Sequence, residues 1–221
     1  MASHAAPGFA AEVPELMTEQ LSNQTFPALA RGKTVIAMGP GLGHSEETKA
    51  LVATVLADCE QPVVLDADAL APGIRGDSAR VRVLTPHPGE MARLTGKSTA
   101  EIQSSRVDSA RSFACENLVT LVLKGQRTLI AFADGRVWIN PTGTPAMGKG
   151  GSGDVLTGLI AGLLAQFPDD PDQAVAAAVY LHGLAGELAA GELGEKGLIA
   201  RDLVGYLPAA WEKCAGLPHG L

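Results

Sequence analysis

The stretch Asn140–Gln166, reading N-P-T-G-T-P-A-M-G-K-G-G-S-G-D-V-L-T-G-L-I-A-G-L-L-A-Q, leaves the chain few ways to fold. Its first half is glycine, proline and hydroxyl residues, which fit no regular element. Its second half sets Val155, Leu156, Leu159, Ile160, Leu163, Leu164 and Phe167 at helical spacing, the pattern of a largely buried helix. A glycine-rich loop therefore feeds a helix, with Gly151-Ser152-Gly153-Asp154 at the junction. The first N–H groups of a helix lack intrahelical partners and carry the positive end of its dipole. Glycines let an anion approach that backbone closely, so the junction reads as an anion site. Asp154 is then a carboxylate inside an anion site. That makes chemical sense if it takes a proton from a hydroxyl while the N–H groups hold a transferring phosphoryl group.

Ser152 or Asp154 could instead simply cap the helix. A cap needs one such residue, whereas five glycines fall between Gly143 and Gly153. Glycine costs folding entropy and serves close backbone approach, which favours a ligand role. Two look-alike motifs fail. Gly143 to Lys149 spells G-x-x-x-x-G-K, but Gly150 stands where a P-loop needs its Mg²⁺-holding hydroxyl. Gly39-Pro-Gly-Leu-Gly43 follows an apolar run, with Asp66 downstream, yet its spacing is not the dinucleotide G-x-G-x-x-G.

Elsewhere the chain alternates. Residues 1–32 show no clean period, are broken by Pro7, Gly8, Pro14 and Pro27, and read as a connecting segment with one short element. Strands are expected at Thr34–Met38, Pro62–Leu65, Val81–Leu84 and Leu118–Leu123. A hairpin joins Thr128–Ala133 to Arg136–Ile139 through Asp134-Gly135. Thr34–Met38 is apolar throughout, as suits a central strand covered on both faces. Helices are expected at Ser45–Asp58, from the Ser98–Glu101 capping box to Asn117, from Asp170 to Gly191, and over Arg201–Lys213. This order argues for an α/β layered domain with a mostly parallel sheet.

Gly41, Asp66, His87, Lys124 and Asp154 follow strands or enter helices on one rim, where ligands collect in open α/β sheets. His87 is pinned between Pro86 and Pro88 in a rigid, non-helical loop. One of Asp66 and Asp68 is expected to cap its turn, and His182 reads as a core histidine. The 46% hydrophobic content is ample for a core, and the net charge of −7 argues against nucleic acid or an anionic membrane as partner. Cys59, Cys115 and Cys214 lack metal-ligand spacing, and no metal cluster is expected; they read as reduced thiols in a cytoplasmic protein. Glu12, Glu15 and Glu19, with no basic start, exclude a secretory signal, and no apolar run looks long enough to span a bilayer.

The run N-P-T-G-T-P-A-M-G-K-G-G-S-G-D-V-L-T-G resembles the signature of the NAD(P)H-hydrate dehydratases of the ribokinase-like superfamily. G-P-G-L-G, V-L-D-A-D-A-L, L-T-P-H-P-G-E and V-L-K-G are similar to further motifs of that family, in the same order, from about residue 33 to 207. The resemblance implies a lyase that repairs hydrated NADH or NADPH, the S epimer, with ADP or ATP driving loss of water. It implies that Lys124, Gly125, Gln126, Arg127, Thr128 and Gly153 hold the adenine nucleotide. Gly41, His87 and Asp154 then contact the hydrated dinucleotide, with Asp154 as the base. It further implies Mg²⁺ with the phosphoryl donor, an NAD(P)H-hydrate epimerase as companion domain or protein, and a homo-oligomer. Family members carry further strands upstream of G-P-G-L-G, where this chain has about thirty residues, so the expected domain, residues 33–221, starts part-way into theirs. A small-molecule kinase of the same superfamily, acting on a vitamin or sugar alcohol, shares the anion site. A truncated, non-catalytic nucleotide-binding subunit is the third alternative.

Overall fold

The computed structural model describes residues 2–3 and 17–215; the Pro7–Pro14 part of the opening segment lies outside them. A short parallel pair joins Ala2–Ser3 (β1) to Glu19–Gln20 (β2). Phe26–Ala30 (α1) follows, and Pro27 opens this helix rather than breaking the chain, since the first turn needs no proline N–H. Phe26 and Leu21 are buried in the main core.

The six-stranded sheet runs in chain order: Ile36–Met38 (β3), Val63–Leu65 (β4), Arg82–Leu84 (β5), Thr120–Leu123 (β6), Leu129–Ala131 (β7) and Val137–Ile139 (β8). β3 to β6 pair in parallel, and the expected hairpin β7–β8 adds antiparallel to β6. Side chains alternate along each strand. Val63, Leu65, Leu84, Leu121 and Leu123 enter one core, under Glu46–Asp58 (α2), Pro88–Thr95 (α3), Thr99–Ser104 (α4) and Arg106–Asn117 (α5). Val64, Val83, Val122 and Ile130 enter a second, under Ser152–Gln166 (α6), Pro171–Leu193 (α7) and Ala200–Ala215 (α8). The result is a three-layer α/β fold with its loops gathered at the carboxyl ends of β3 to β6.

Four expectations need correction. Among the described residues β3 pairs only with β4 and so stands at the margin of the sheet, with Ala37 exposed, where its apolar run suggested a central strand. An apolar run reports what lies above and below a strand, not what lies beside it. The helix opened by Ser98 breaks at Ser105 (φ −138°) into α4 and α5. The Ser104 and Ser105 hydroxyls both donate to the Glu101 carbonyl, at 2.9 and 3.1 Å, and so compete with the backbone ladder. The sequence reading placed no helix after His87, which keeps the expected extended backbone (φ −80°, ψ 169°) but caps α3, starting at Pro88. Finally, α7 is long and apolar enough to cross a membrane by length and composition, contrary to the sequence reading; 61% of that span is buried in the core.

Candidate active site

Gly151 takes φ 90°, a left-handed conformation that glycine adopts without strain, and turns the loop into α6. No side chain caps this helix. Among the described residues, the main-chain N–H groups of Gly153 and Asp154 have no partner, and the buried Ser152 hydroxyl has none either. The capping role is therefore not realised, and the helix start is left open to a ligand. Asp154 stands exposed in the first turn of α6. Partial burial in the cleft raises its pKa; the Asp66 charge adds to this and Lys124 opposes it.

Lys124 meets the same spot from β6. Its Nζ is 2.7 Å from Asp66 Oδ1 and 3.7 Å from Glu90 Oε2. Thr157, one turn beyond Asp154, donates to Asp66 Oδ2 at 2.9 Å. A β-carbon on Gly153 would stand 3.2 Å from Lys124 Nζ and 3.6 Å from Asp66 Oδ2, so glycine leaves that approach clear. Burial opposes ionisation of Asp66, but Lys124, by charge and hydrogen bond, with hydrogen bonds from Thr157 and Thr85, lowers its pKa below the usual carboxylate value. Asp66 is thus no turn cap; it holds Lys124. Asp68 does not cap that turn either: it accepts from Gly43 N, 25 residues away in sequence, at 2.9 Å and lies 3.2 Å from His44 Nε2.

The strand ladders continue past the sheet and set this rim. Asp66 N donates to Met38 O at 3.1 Å, and Lys124 N donates to Pro86 O at 2.9 Å. Gly39 lies so close to the Asp66 carbonyl that no β-carbon fits, which brings the Gly39–Gly43 loop against Asp66. Gly41 is exposed on that loop. His87 Nδ1 accepts from Gly89 N and Glu90 N, at 3.0 and 3.2 Å, while Glu90 accepts from His87 N at 2.7 Å. This reciprocal cap leaves the ring on the surface and links it through Glu90 to Lys124. In the loop after Lys124, Arg106 donates to the carbonyls of Gln126 (2.6 Å) and Leu123 (3.3 Å), and Thr128 Oγ1 donates to Gly125 O (3.0 Å). With those carbonyls occupied, the N–H groups of Gly125, Gln126 and Arg127 have no partner among the described residues.

The structure thus brings Lys124, Gly153 and Asp154 together, sets Gly41 and His87 on the β3–β5 side of the rim, and extends Gly125 to Thr128 along its β6 side. The sequence reading gave no role to Thr157, Glu90 or Arg106. Thr157 was signalled by its place one turn from Asp154, and Glu90 by its place three residues after His87. Nothing in the sequence singled out Arg106.

The glycine-rich loop is fixed to α7. Thr142 Oγ1 donates to Tyr180 O at 2.9 Å, Gly143 N donates to Glu187 Oε1 at 2.9 Å, and Gly183 and Gly186 leave room for Thr142 and Met147. His182, buried as expected, donates from Nε2 to Ser152 O at 2.9 Å. Burial lowers its pKa from 6.5 to about 4, with the Ser152 carbonyl opposing and Lys124 assisting. A histidine pKa lower in the folded than in the unfolded state gives stability that is intact above 6.5 and lost as pH falls toward 4. His182→Gln is therefore expected to flatten the urea-unfolding stability between those pH values by up to about 3 kcal/mol. An unchanged pH slope would show that His182 titrates normally.

The fold is ribokinase-like. Residues 2–209 match the family described as NAD(P)H-hydrate dehydratase, and the chain belongs to that family. It is 44% identical over 216 residues to the bifunctional NAD(P)H-hydrate repair enzyme Nnr of Moorella thermoacetica, spanning 90% of this chain and 40% of that protein. Over 179 residues it is 46% identical to the ADP-dependent (S)-NAD(P)H-hydrate dehydratase of Bacillus subtilis, spanning 80% of this chain and 64% of that protein. The crystal structure of the ADP/ATP-dependent NAD(P)H-hydrate dehydratase from Bacillus subtilis, co-crystallised with ATP/Mg²⁺ and soaked with CoA, superposes with a TM-score of 0.86. It is 38% identical, with coverage of 96% of this chain and 78% of that one.

Proposed function

We propose that this chain dehydrates the S epimer of hydrated NADH and NADPH, restoring NAD(P)H at the expense of ADP or ATP. The observation that carries this reading is the uncapped start of α6, with Asp154 in its first turn and Lys124 beside Gly153, in a chain of the dehydratase family. Hydroxide is a poor leaving group, so the ring hydroxyl first attacks the terminal phosphoryl group of ADP or ATP, the bridging P–O bond breaks to release AMP or ADP, and Asp154 takes the hydroxyl proton. The free N–H groups of Gly153 and Asp154, with Lys124, stabilise the charge that develops on the phosphoryl oxygens. The lone pair of the ring nitrogen then expels phosphate, and loss of a ring proton restores the reduced nicotinamide.

The loop Lys124–Thr128 offers its free N–H groups to the nucleotide, while Gly41 and His87 line the dinucleotide side. Among the described residues no three His, Cys, Asp or Glu side chains converge on one point. Mg²⁺ is commonly held by one or two carboxylates plus the substrate phosphates. Both oxygens of Asp66 are engaged, by Lys124 and Thr157, and Glu90 closes the His87 cap, so these carboxylates do not form an open ion site; an ion arriving with the nucleotide would be held by the phosphates, whose charge it would neutralise. An epimerase, as companion protein or domain, would supply the S epimer from the R epimer.

The test is incubation with hydrated NADPH and either ADP or ATP. Return of NADPH absorbance together with free phosphate supports the proposal. A stable phosphorylated product and no NADPH would instead indicate a small-molecule kinase.

A further inference from the structure

Lys149 has no place in the chemistry above, and although the residue is exposed its ammonium is bound to main-chain carbonyls. Three main-chain carbonyls surround it: Glu195 at 3.3 Å, Lys196 at 3.0 Å, and Leu198. Among the described residues no carboxylate pairs with it. The carbonyls converge because the turn between α7 and α8 folds back on itself, with Gly197 N and Leu198 N both donating to Gly194 O, at 3.2 and 3.3 Å. The same turn presses on the start of α6. A β-carbon on Gly151 would stand 3.0 Å from Ala200 Cβ. Leu198 is fully buried in a small core with Ala146, Met147 and Val155, residues on either side of the Gly-Gly-Ser-Gly run.

We infer that Lys149 is a positioning residue for the anion site, a tether whose charge fixes the glycine-rich loop against the α7–α8 turn. This rests on the dehydratase reading. Gly148, Gly150, Gly151 and Gly153 give the loop many accessible conformations, and only some present the Gly153 and Asp154 N–H groups to a phosphoryl group. Charge-assisted hydrogen bonds are about twice as strong as neutral ones. An ammonium is thus suited to hold three carbonyls at once, and a neutral side chain of similar length is not. The failed P-loop match agrees with this: Gly150 lacks the Mg²⁺-holding hydroxyl, and the Lys149 ammonium is turned to carbonyls.

The experiment compares the parent chain with Lys149→Ala, using hydrated NADPH and ADP. The expected result is a fall in kcat of about 10²-fold, the size of effect that a 1 Å misplacement produces, with little change in KM for ADP. Added methylammonium, which donates three hydrogen bonds, restores turnover; tetramethylammonium, which has no N–H, does not. A purely packing role would give no such difference between the two amines. Full activity in Lys149→Ala, or a loss that neither amine repairs, overturns the inference.

Hydrogen exchange at residues 148–153, without substrate, provides a readout independent of the reaction. Exchange is expected to be faster in Lys149→Ala and slowed again by methylammonium. If the parent chain shows no turnover, the dehydratase reading fails while this measurement still decides the tether. If Lys149→Ala does not fold, Lys149→Arg, which keeps charge and donors, must retain most of the parent turnover, and an inactive but folded Arg variant rejects the tether.

Discussion

Replacing Asp154 with Asn lowers the dehydration rate by about 10²–10⁴-fold, the usual loss when a general base is removed, and leaves ADP affinity and thermal stability close to the parent values. The carboxylate is exposed and makes no hydrogen bond to any described residue, so the fold has little stake in its charge. Its amide replacement keeps the shape and the backbone N–H but cannot accept the hydroxyl proton. The raised pKa gives a second signature. The acid limb of the pH–rate profile should lie above the ordinary aspartate value in the parent chain and be absent from whatever activity remains in the Asn variant. An Asn variant that keeps most of its rate would remove Asp154 from the role of base.

Lys124→Met is expected to act on stability as much as on chemistry. It strips the partner from Asp66, whose side chain is only 2% exposed, and breaking a buried pair on one side costs about 3–5 kcal/mol. Adding Asp66→Asn removes the stranded charge and should recover most of that stability, because Thr157 can still donate to the amide oxygen. Turnover should not recover, since the Lys124 ammonium then no longer faces the phosphoryl group. Urea unfolding of both single variants and the double variant, beside their rates, separates the two roles. If each single change costs under about 1 kcal/mol, the pair behaves as a surface ion pair and the assignment fails. The lowered pKa of Asp66 predicts the pH dependence as well. Its contribution to stability is complete above the usual carboxylate value and is lost as pH falls through the lowered one, and the double variant should lack that acid limb.

The sheet and its layers were legible because the apolar runs and the turns between them obey short-range rules. Asp170 was read as the start of α7, and its side chain does accept from Gln173 N, at 3.2 Å. The glycine-rich junction was legible for the same reason, since composition alone forbids a regular element there. What the sequence hid was lateral and long-range. Whether Thr34–Met38 lies inside the sheet or at its margin depends on hydrogen bonds to strands that its own residues do not specify. The partnership of Asp66 with Lys124 and Thr157 joins residues 58 and 91 positions apart, and no local pattern records such a bond. His87 shows a subtler limit. Flanking prolines gave it a fixed backbone, as read, but its ring nitrogen is occupied by the start of α3, a use that depended on Glu90 closing the cap.

The position of β3 has a mechanical consequence. The loop after β6 hangs between two paired strands and is gripped by Arg106, so it is braced from both flanks. On the opposite side, Gly39–Gly43 is carried by a strand that among the described residues bonds to one neighbour only, steadied by Asp66 and Asp68. The two walls of the cleft therefore differ in stiffness. In the proposed function the braced wall would grip the nucleotide, and the wall with fewer ties would face the bulkier hydrated dinucleotide, where room to yield would let NADH-derived and NADPH-derived substrates share one catalytic centre.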